Sequence, residues 1–213
     1  MTKRISDLRK EYHASLLDET LIKPDPLLQF EIWFNEAVQS GIEEPNAMVL
    51  STADREGNVS ARVVLLKGIE NKGFVFFTGY ESKKGIQLLS NPKAALTFHW
   101  HLPERQVRVE GTVTKISRKA TLAYFNSRPL DSRVSTCISP QSSVIPDRAF
   151  LDSMREGFIL DLQGLPPVCP DNWGGYCLKP MVVEFWQGRT HRLHDRIRYR
   201  MHHHRWIIER LAP

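Results

Sequence analysis

Ala47-Met-Val-Leu-Ser-Thr-Ala-Asp-Arg-Glu-Gly-Asn-Val-Ser-Ala-Arg-Val-Val-Leu-Leu-Lys67 reads as a β-hairpin. Two runs suited to strands, Ala47 to Thr52 and Val59 to Lys67, flank Asp54-Arg-Glu-Gly-Asn58, a polar turn containing glycine. Outward from this hairpin the antiparallel pattern continues. Gly73 to Thr78 is a strand rich in aromatic residues. Ala94 to Trp100 and Gln106 to Ile116 form a further pair, with Val107, Val109, Gly111 and Val113 alternating against polar neighbours. Strands return at Gly175 to Gln187, at His191 to Tyr199, and at a last short segment that includes Trp206 to Ile208.

Helices punctuate this series. Asp25-Pro26 opens one whose apolar residues Phe30, Trp33, Phe34, Ala37 and Val38 follow a buried helical face, ending at Gly41. Others are predicted at Ser82 to Ser90, from Ser117 to about Phe125, and from Pro146-Asp147 to about Leu162. Residues 4 to 13 could form a short helix, and Leu165 to Pro170 is a surface connection. The pattern predicts an α+β protein, mainly antiparallel β, with a sheet large enough to close into a barrel. Without repeats or long linkers, one compact domain at 25–213 with an N-terminal segment at 1–24 is expected.

Of the 213 residues, 41% are hydrophobic and 25% charged, an ordinary soluble balance, and no apolar run approaches the roughly 20 residues needed to cross a bilayer. The N-terminus lacks a signal-peptide core, and Asp7 and Glu11 speak against a transit peptide, so a cytoplasmic protein away from membranes is expected. Cys137, Cys169 and Cys177 are odd in number and contain no Cys-x-x-Cys pair; they read as idle thiols. A net charge of +5 suggests an anionic partner, either nucleic acid or a phosphorylated small molecule.

The positions of the cations bear on that choice. Arg62-Val-Val-Leu-Leu-Lys67 carries one at each end, and Ser82-Lys83-Lys84-Gly85 places two at a helix start, where free N–H groups favour anions. Tyr124, Arg128 and Ser132 are spaced four apart and would share a helical face, although Pro129 interrupts them. Such lysines are commonly solvated surface, and Arg128 could instead pair with Asp131. In Trp186-Gln-Gly-Arg-Thr-His-Arg-Leu-His-Asp-Arg196, a strand would point Arg192, His194 and Arg196 to one face. Crowding these cations asks for an anion between them, unless the segment is an exposed basic edge. His202-His-His204 reads as a polar turn; consecutive histidines diverge, so no metal site is expected.

These clusters, in this order, resemble the pyridoxine (pyridoxamine) 5′-phosphate oxidase family. The resemblance spans almost the whole chain. It runs from Leu8-Arg-Lys-Glu-Tyr12 and Asp25-Pro26 through Arg62 to Lys67, Phe77-Thr-Gly-Tyr-Glu-Ser-Lys-Lys84, Arg105-Gln-Val-Arg-Val-Glu-Gly111, Tyr124-Phe-Asn-Ser-Arg-Pro129 and Gln141-Ser-Ser143. It continues in Trp173-Gly-Gly-Tyr176, Glu184-Phe-Trp-Gln-Gly188, Arg192-Leu-His-Asp-Arg196 and Glu209-Arg-Leu-Ala-Pro213.

The resemblance implies a split β-barrel homodimer with peripheral helices and two FMN sites at the subunit interface. Position by position it implies FMN ligands at Arg62, Lys67, Phe77, Thr78, Lys83, Lys84, Gln106, Gln141, Ser142, Trp186 and Arg196. It implies a substrate phosphate held by Lys67, Tyr124, Arg128 and Ser132, with Arg192 and His194 as catalytic groups against the substrate ring. Arg9 and Tyr12 would come from a segment covering the site. The implied reaction moves a hydride from C4′ of pyridoxine 5′-phosphate or pyridoxamine 5′-phosphate to FMN. Pyridoxal 5′-phosphate results, and O2 is reduced to H2O2.

Some positions depart from the family pattern. Arg133-Val-Ser-Thr136 stands where Gln-Ile-Gly-Ala is usual, and losing that glycine would alter a loop beside the substrate phosphate. Lys83 replaces an arginine, and Glu44 an aspartate. Arg62 and Lys67 are five apart, so a regular strand would aim them oppositely unless a bulge or strand end intervenes. Competing readings are a flavin-binding relative with lost or altered oxidase activity, a nucleic-acid-binding barrel, and a structural or interaction protein.

Overall fold

Asp25 caps the first helix: its carboxylate accepts the Leu27 N–H at 2.8 Å, and Pro26 supplies the fixed φ of the first helical position. Helix α1 (Pro26–Gln39) buries Phe30, Trp33 and Ala37 of the face its spacing predicts, while Phe34 is half-buried and Val38 is exposed. The computed structural model describes residues 4–7, 11–12 and 16–213. Within them, the predicted N-terminal helix is reduced to a single 3₁₀ turn at Ile5–Asp7, and Arg9 lies outside the described residues.

The hairpin forms as predicted, from β1 (Ala47–Ala53) and β2 (Val59–Leu65). It is followed by β3 (Gly68–Glu70), β4 (Gly73–Gly79) and α2 (Lys83–Ser90). Next come β5 (Lys93–Trp100), β6 (Arg105–Lys115), α3 (Arg118–Ser127), α4 (Leu130–Ile138) and α5 (Arg148–Leu162). The chain closes with β7 (Trp173–Gln187), β8 (Asp195–His202) and β9 (Arg205–Arg210). The strand order is β2-β1-β5-β6-β7-β4-β3, with β8 added on β7 and β9 on β8. The long strand β7 pairs antiparallel with β4 through its first half (Phe76 opposite Tyr176) and with β8 through its second (Phe185 opposite Ile197). This is the antiparallel α+β architecture expected.

Two elements escape the sequence pattern, the three-residue β3 and helix α4. The strand expected from His191 starts only at Asp195. His191 and Arg192 both take left-handed backbone, φ +57 and +59, which no strand accommodates. The turn between β8 and β9 falls at His203 and His204, both at positive φ, the twist a two-residue hairpin turn requires.

The chain divides into two compact units. One comprises Met1–Leu50, Ala95–Gly111 and Pro180–Pro213, the other Ser51–Ala94 and Thr112–Lys179. In the first, Phe30 packs on Phe98 with ring centroids 4.9 Å apart, and Trp33 meets Phe185 edge-on at 5.1 Å. Buried Tyr199 donates its hydroxyl to the Lys23 carbonyl at 2.7 Å, and burial pushes its pKa up. The second unit buries Phe74, Val75, Phe76, Leu88 and Leu178, and burial pushes the Tyr176 phenol up to about 12. Burial likewise pushes all three cysteine thiols up, which suits idle rather than reactive thiols.

Candidate active site

The second unit holds a cavity of about 890 Å³, within the range of small-molecule sites. Arg62 and Lys67 both line it. Their awkward spacing is resolved by a strand end: β2 stops at Leu65, and Lys67 sits in the connection to β3 with its N–H on the Val75 carbonyl at 2.8 Å. Arg62 donates to Thr52 Oγ1 at 2.6 Å, which in turn donates to Gln87 Oε1 at 2.6 Å. Burial lowers the Arg62 pKa.

The start of α2 supplies the next group. Ser82 caps the helix by accepting the Gly85 N–H, and its own proton goes to the Gly79 carbonyl at 2.7 Å. Lys84 folds back onto Thr78 Oγ1 (3.1 Å) and Ser82 Oγ (3.4 Å). It is only 8% exposed and, among the described residues, has no carboxylate partner. Burial first, and the Arg62 charge second, lower its pKa. Thr78 passes its proton to Gln141 Oε1 at 3.0 Å, and the Gly79 N–H shares that acceptor at 3.0 Å.

This close folding depends on Gly85, where an added Cβ would come 2.2 Å from the Tyr80 carbonyl oxygen. Gly85→Ala must therefore push the first turn of α2 off the Tyr80 backbone. We expect a loss of about 1–3 kcal/mol of stability, read as a lower midpoint in denaturant melts. An unchanged midpoint would show that the turn relaxes freely.

Aromatic rings form another wall. Phe77 and Tyr124 stack at 3.8 Å, and Trp173 lies 5.4 Å from Phe77. Helix α3 stops where Pro129 forces Arg128 into extended backbone, φ −79 and ψ 150, and α4 restarts at Leu130. Despite the break, Tyr124, Arg128 and Ser132 all reach the cavity. Arg128 does not pair with Asp131, which instead binds Arg155 at 2.8 Å. Residues 133 to 136 are not a loop. They continue α4, and Ser135 has no left-handed φ, so glycine's freedom is not required there.

The C-terminal motif belongs to the other unit. Tyr12, Trp186 and His194 form a three-ring cluster with centroids 4.7 to 5.7 Å apart. The Tyr12 ring sits against Gly188, where a Cβ would fall 2.8 Å from it. His194 Nδ1 accepts the Arg189 N–H at 3.1 Å, so a neutral imidazole carries its proton on Nε2. Arg196 is held by Glu184 at 2.9 Å and by the Ala212 carbonyl at 2.8 Å. Arg192, His194 and Arg196 do not share a strand face as predicted, because Thr190–Arg192 is a 3₁₀ turn and only Arg196 lies in β8.

Of the candidate residues, Arg62, Lys67, Phe77, Thr78, Lys84, Tyr124, Arg128, Ser132 and Gln141 thus converge on one cavity. Lys83 is exposed and Ser142 is exposed at φ +73; neither lines it. Gln106 is half-buried on β6 of the other unit. Ser82, Thr136 and Trp173 also line the cavity and were not among the candidates. A helix cap beside two lysines could have pointed to Ser82; the other two depend on tertiary packing.

Residues 34–155 match the family profile described as pyridoxamine 5′-phosphate oxidase, and residues 173–213 match the profile of a pyridoxine 5′-phosphate oxidase C-terminal dimerisation region. The chain is 50% identical to the pyridoxine/pyridoxamine 5′-phosphate oxidase of Polynucleobacter asymbioticus, over 98% of this chain and 99% of that one. It is 51% identical to the protein of the same name from Cupriavidus necator, covering 99% of each. Among solved structures, that of PhzG from Burkholderia lata, in complex with tetrahydrophenazine-1-carboxylic acid, superposes with a TM-score of 0.87 at 26% identity. The match covers 94% of this chain and 99% of that one. A pyridoxamine 5′-phosphate oxidase-related, FMN-binding protein from Nostoc punctiforme shares the fold, with a TM-score of 0.70 at 18% identity over 86% of this chain and 97% of that one.

Proposed function

The chain belongs to the pyridoxamine 5′-phosphate oxidase family, and on that footing we propose that it is an FMN-dependent oxidase of pyridoxine 5′-phosphate and pyridoxamine 5′-phosphate. The observation that carries this reading is Lys84, a buried ammonium whose partners are two hydroxyls rather than a carboxylate. A buried charge needs a counter-charge, and here a ligand phosphate supplies it. The first-turn N–H groups of α2 and the nearby Arg62 suit the same phosphate. These residues therefore fit the phosphate end of FMN.

Arg62, Lys67, Phe77, Thr78, Lys84 and Gln141 would hold the cofactor; the family resemblance further assigns Lys83, Gln106, Ser142, Trp186 and Arg196 to it, outside this cavity. FMN held there would supply the acceptor for the hydride lost from C4′, with O2 as the final oxidant, reduced to H2O2. Lys67, Tyr124, Arg128 and Ser132 take the substrate phosphate. Arg192 and His194 orient the substrate ring, His194 with a fixed Nε2–H donor. The contacts of Tyr12 with Trp186 and His194 support a covering role for the N-terminal segment. The protein acts as a homodimer with FMN at the subunit interface, consistent with the dimerisation profile at residues 173–213. No helix among the described residues is long and apolar enough to cross a membrane, and a cytoplasmic enzyme fits its phosphorylated substrates.

Aerobic turnover tests this. Purified protein given FMN and pyridoxine 5′-phosphate should release aldehyde and H2O2 in equal amounts, and neither without FMN. A yellow protein making neither product from the alcohol or the amine would instead be a flavin-binding relative that has lost the chemistry.

A further inference from the structure

Arg128, Ser132 and Thr136 are spaced four apart, and the bend at Pro129 brings all three to the cavity wall. Thr136 Oγ1 donates its proton to the Ser132 carbonyl at 2.9 Å and accepts Nη1–H of Arg128 at 2.5 Å. A threonine hydroxyl has one proton. With that proton fixed on a backbone carbonyl, the oxygen facing Arg128 can only accept, so its direction is set before any ligand arrives. The guanidinium is fixed from a second side by the Trp173 ring, 4.9 Å from Cζ to centroid. Trp173 is itself buried and stacked in the Phe77–Tyr124 wall.

The character of these two anchors matters. Neither is negative, and Arg128 has no carboxylate partner among the described residues, since Asp131 is committed to Arg155. A carboxylate anchor would hold the guanidinium equally well but would neutralise it and compete with an incoming phosphate. A hydroxyl and an indole fix its plane and leave its charge available. We infer that Thr136 is a positioning residue that presents Arg128 to the substrate's phosphate, acting with Trp173. This rests on the reading of Arg128 as a phosphate ligand. It also gives the departing segment 133 to 136 a role: the residue at 136 contributes an acceptor that an alanine there would lack.

The test compares Thr136→Val, Thr136→Ser, Arg128→Met and the double variant Arg128→Met/Thr136→Val, all loaded with FMN so that the cofactor phosphate site is filled. Two quantities are measured, the steady-state constants for pyridoxine 5′-phosphate and the Kd of inorganic phosphate by calorimetry. Removing one hydrogen bond that acts through Arg128 should raise KM and the phosphate Kd roughly 2- to 12-fold in Thr136→Val, with kcat little changed. Thr136→Ser, which keeps the acceptor, should stay close to the parent. In the Arg128→Met background, Thr136→Val should have no further effect. Should Thr136→Val fail to fold, Thr136→Ala carries the same expectation. Parent-like values in the hydroxyl-free variant would overturn the inference, as would a loss that persists without Arg128. If Arg128→Met alone leaves phosphate binding intact, the assignment of Arg128 to the substrate phosphate fails first.

Discussion

Replacing Lys84 by Met is expected to weaken FMN binding roughly 10- to 150-fold, the worth of one charge-assisted contact, while the cofactor-free protein melts at the same temperature or higher. The two effects have opposite signs because they have one cause. In the cofactor-free chain the Lys84 ammonium donates to two neutral hydroxyls, while its burial first and the Arg62 charge second disfavour its protonated form. With the folded-state pKa below the ordinary lysine value, the unfolded chain binds that proton more tightly. The resulting penalty on folding is present in full at pH values below the folded-state pKa, and it fades as pH rises toward the unfolded value. Methionine fills similar space without the charge, so the penalty goes and the core keeps its contacts. A bound phosphate reverses the balance, which is why the same substitution removes affinity. Flavin fluorescence titration and thermal melts of the cofactor-free protein read both sides. Wild-type affinity in Lys84→Met would remove Lys84 from the cofactor site. A large drop in cofactor-free stability would mean that Lys84 serves the fold rather than the ligand.

Lys84 also shows how far the sequence could be read. Two lysines behind a serine at a helix start were visible, and the helix starts there as predicted. Which lysine turns inward was not, because that depends on Thr78, two strand residues after Phe76, standing beside Ser82. Strands and helices with full periodicity were legible: the 47–67 hairpin, the α1 face and the alternation in β6. What failed was local and backbone-driven. Helix α4 follows a proline and opens without a side-chain cap, so no start signal marked it. The strand expected from His191 reads correctly as alternation, yet two consecutive left-handed residues interrupt it. Thr136 became meaningful only once the bend at Pro129 had set it against Arg128.

Those left-handed residues underlie the second large effect: Arg192→Ala is expected to lower kcat on the order of 10²- to 10³-fold with FMN still bound. Holding two adjacent non-glycine residues, His191 and Arg192, at φ +57 and +59 is unfavourable, and such strain gathers at functional sites. The neighbouring cations are accounted for. Arg189 reaches Asp195 at 3.5 Å, Arg196 Glu184 at 2.9 Å, and Arg198 and Arg200 share Glu209 at 2.7 and 3.3 Å. Arg192 is exposed and has no carboxylate partner among the described residues. A cation held on strained backbone, in a motif whose other arginines are paired, suits the proposed contact with the substrate. Its planar fork can hold the substrate ring in one orientation, and orientation is where much of the rate comes from. Arg192→Gly separates the side chain from the backbone, since glycine adopts this φ without strain. It should melt no lower than the parent yet lose as much turnover as Arg192→Ala, while Arg192→Lys should recover only part of it. Flavin content measured beside kcat keeps cofactor loss from passing as lost catalysis. Near-normal turnover in both Arg192→Ala and Arg192→Gly would mean that the strained turn shapes the protein and that its arginine takes no part in the reaction.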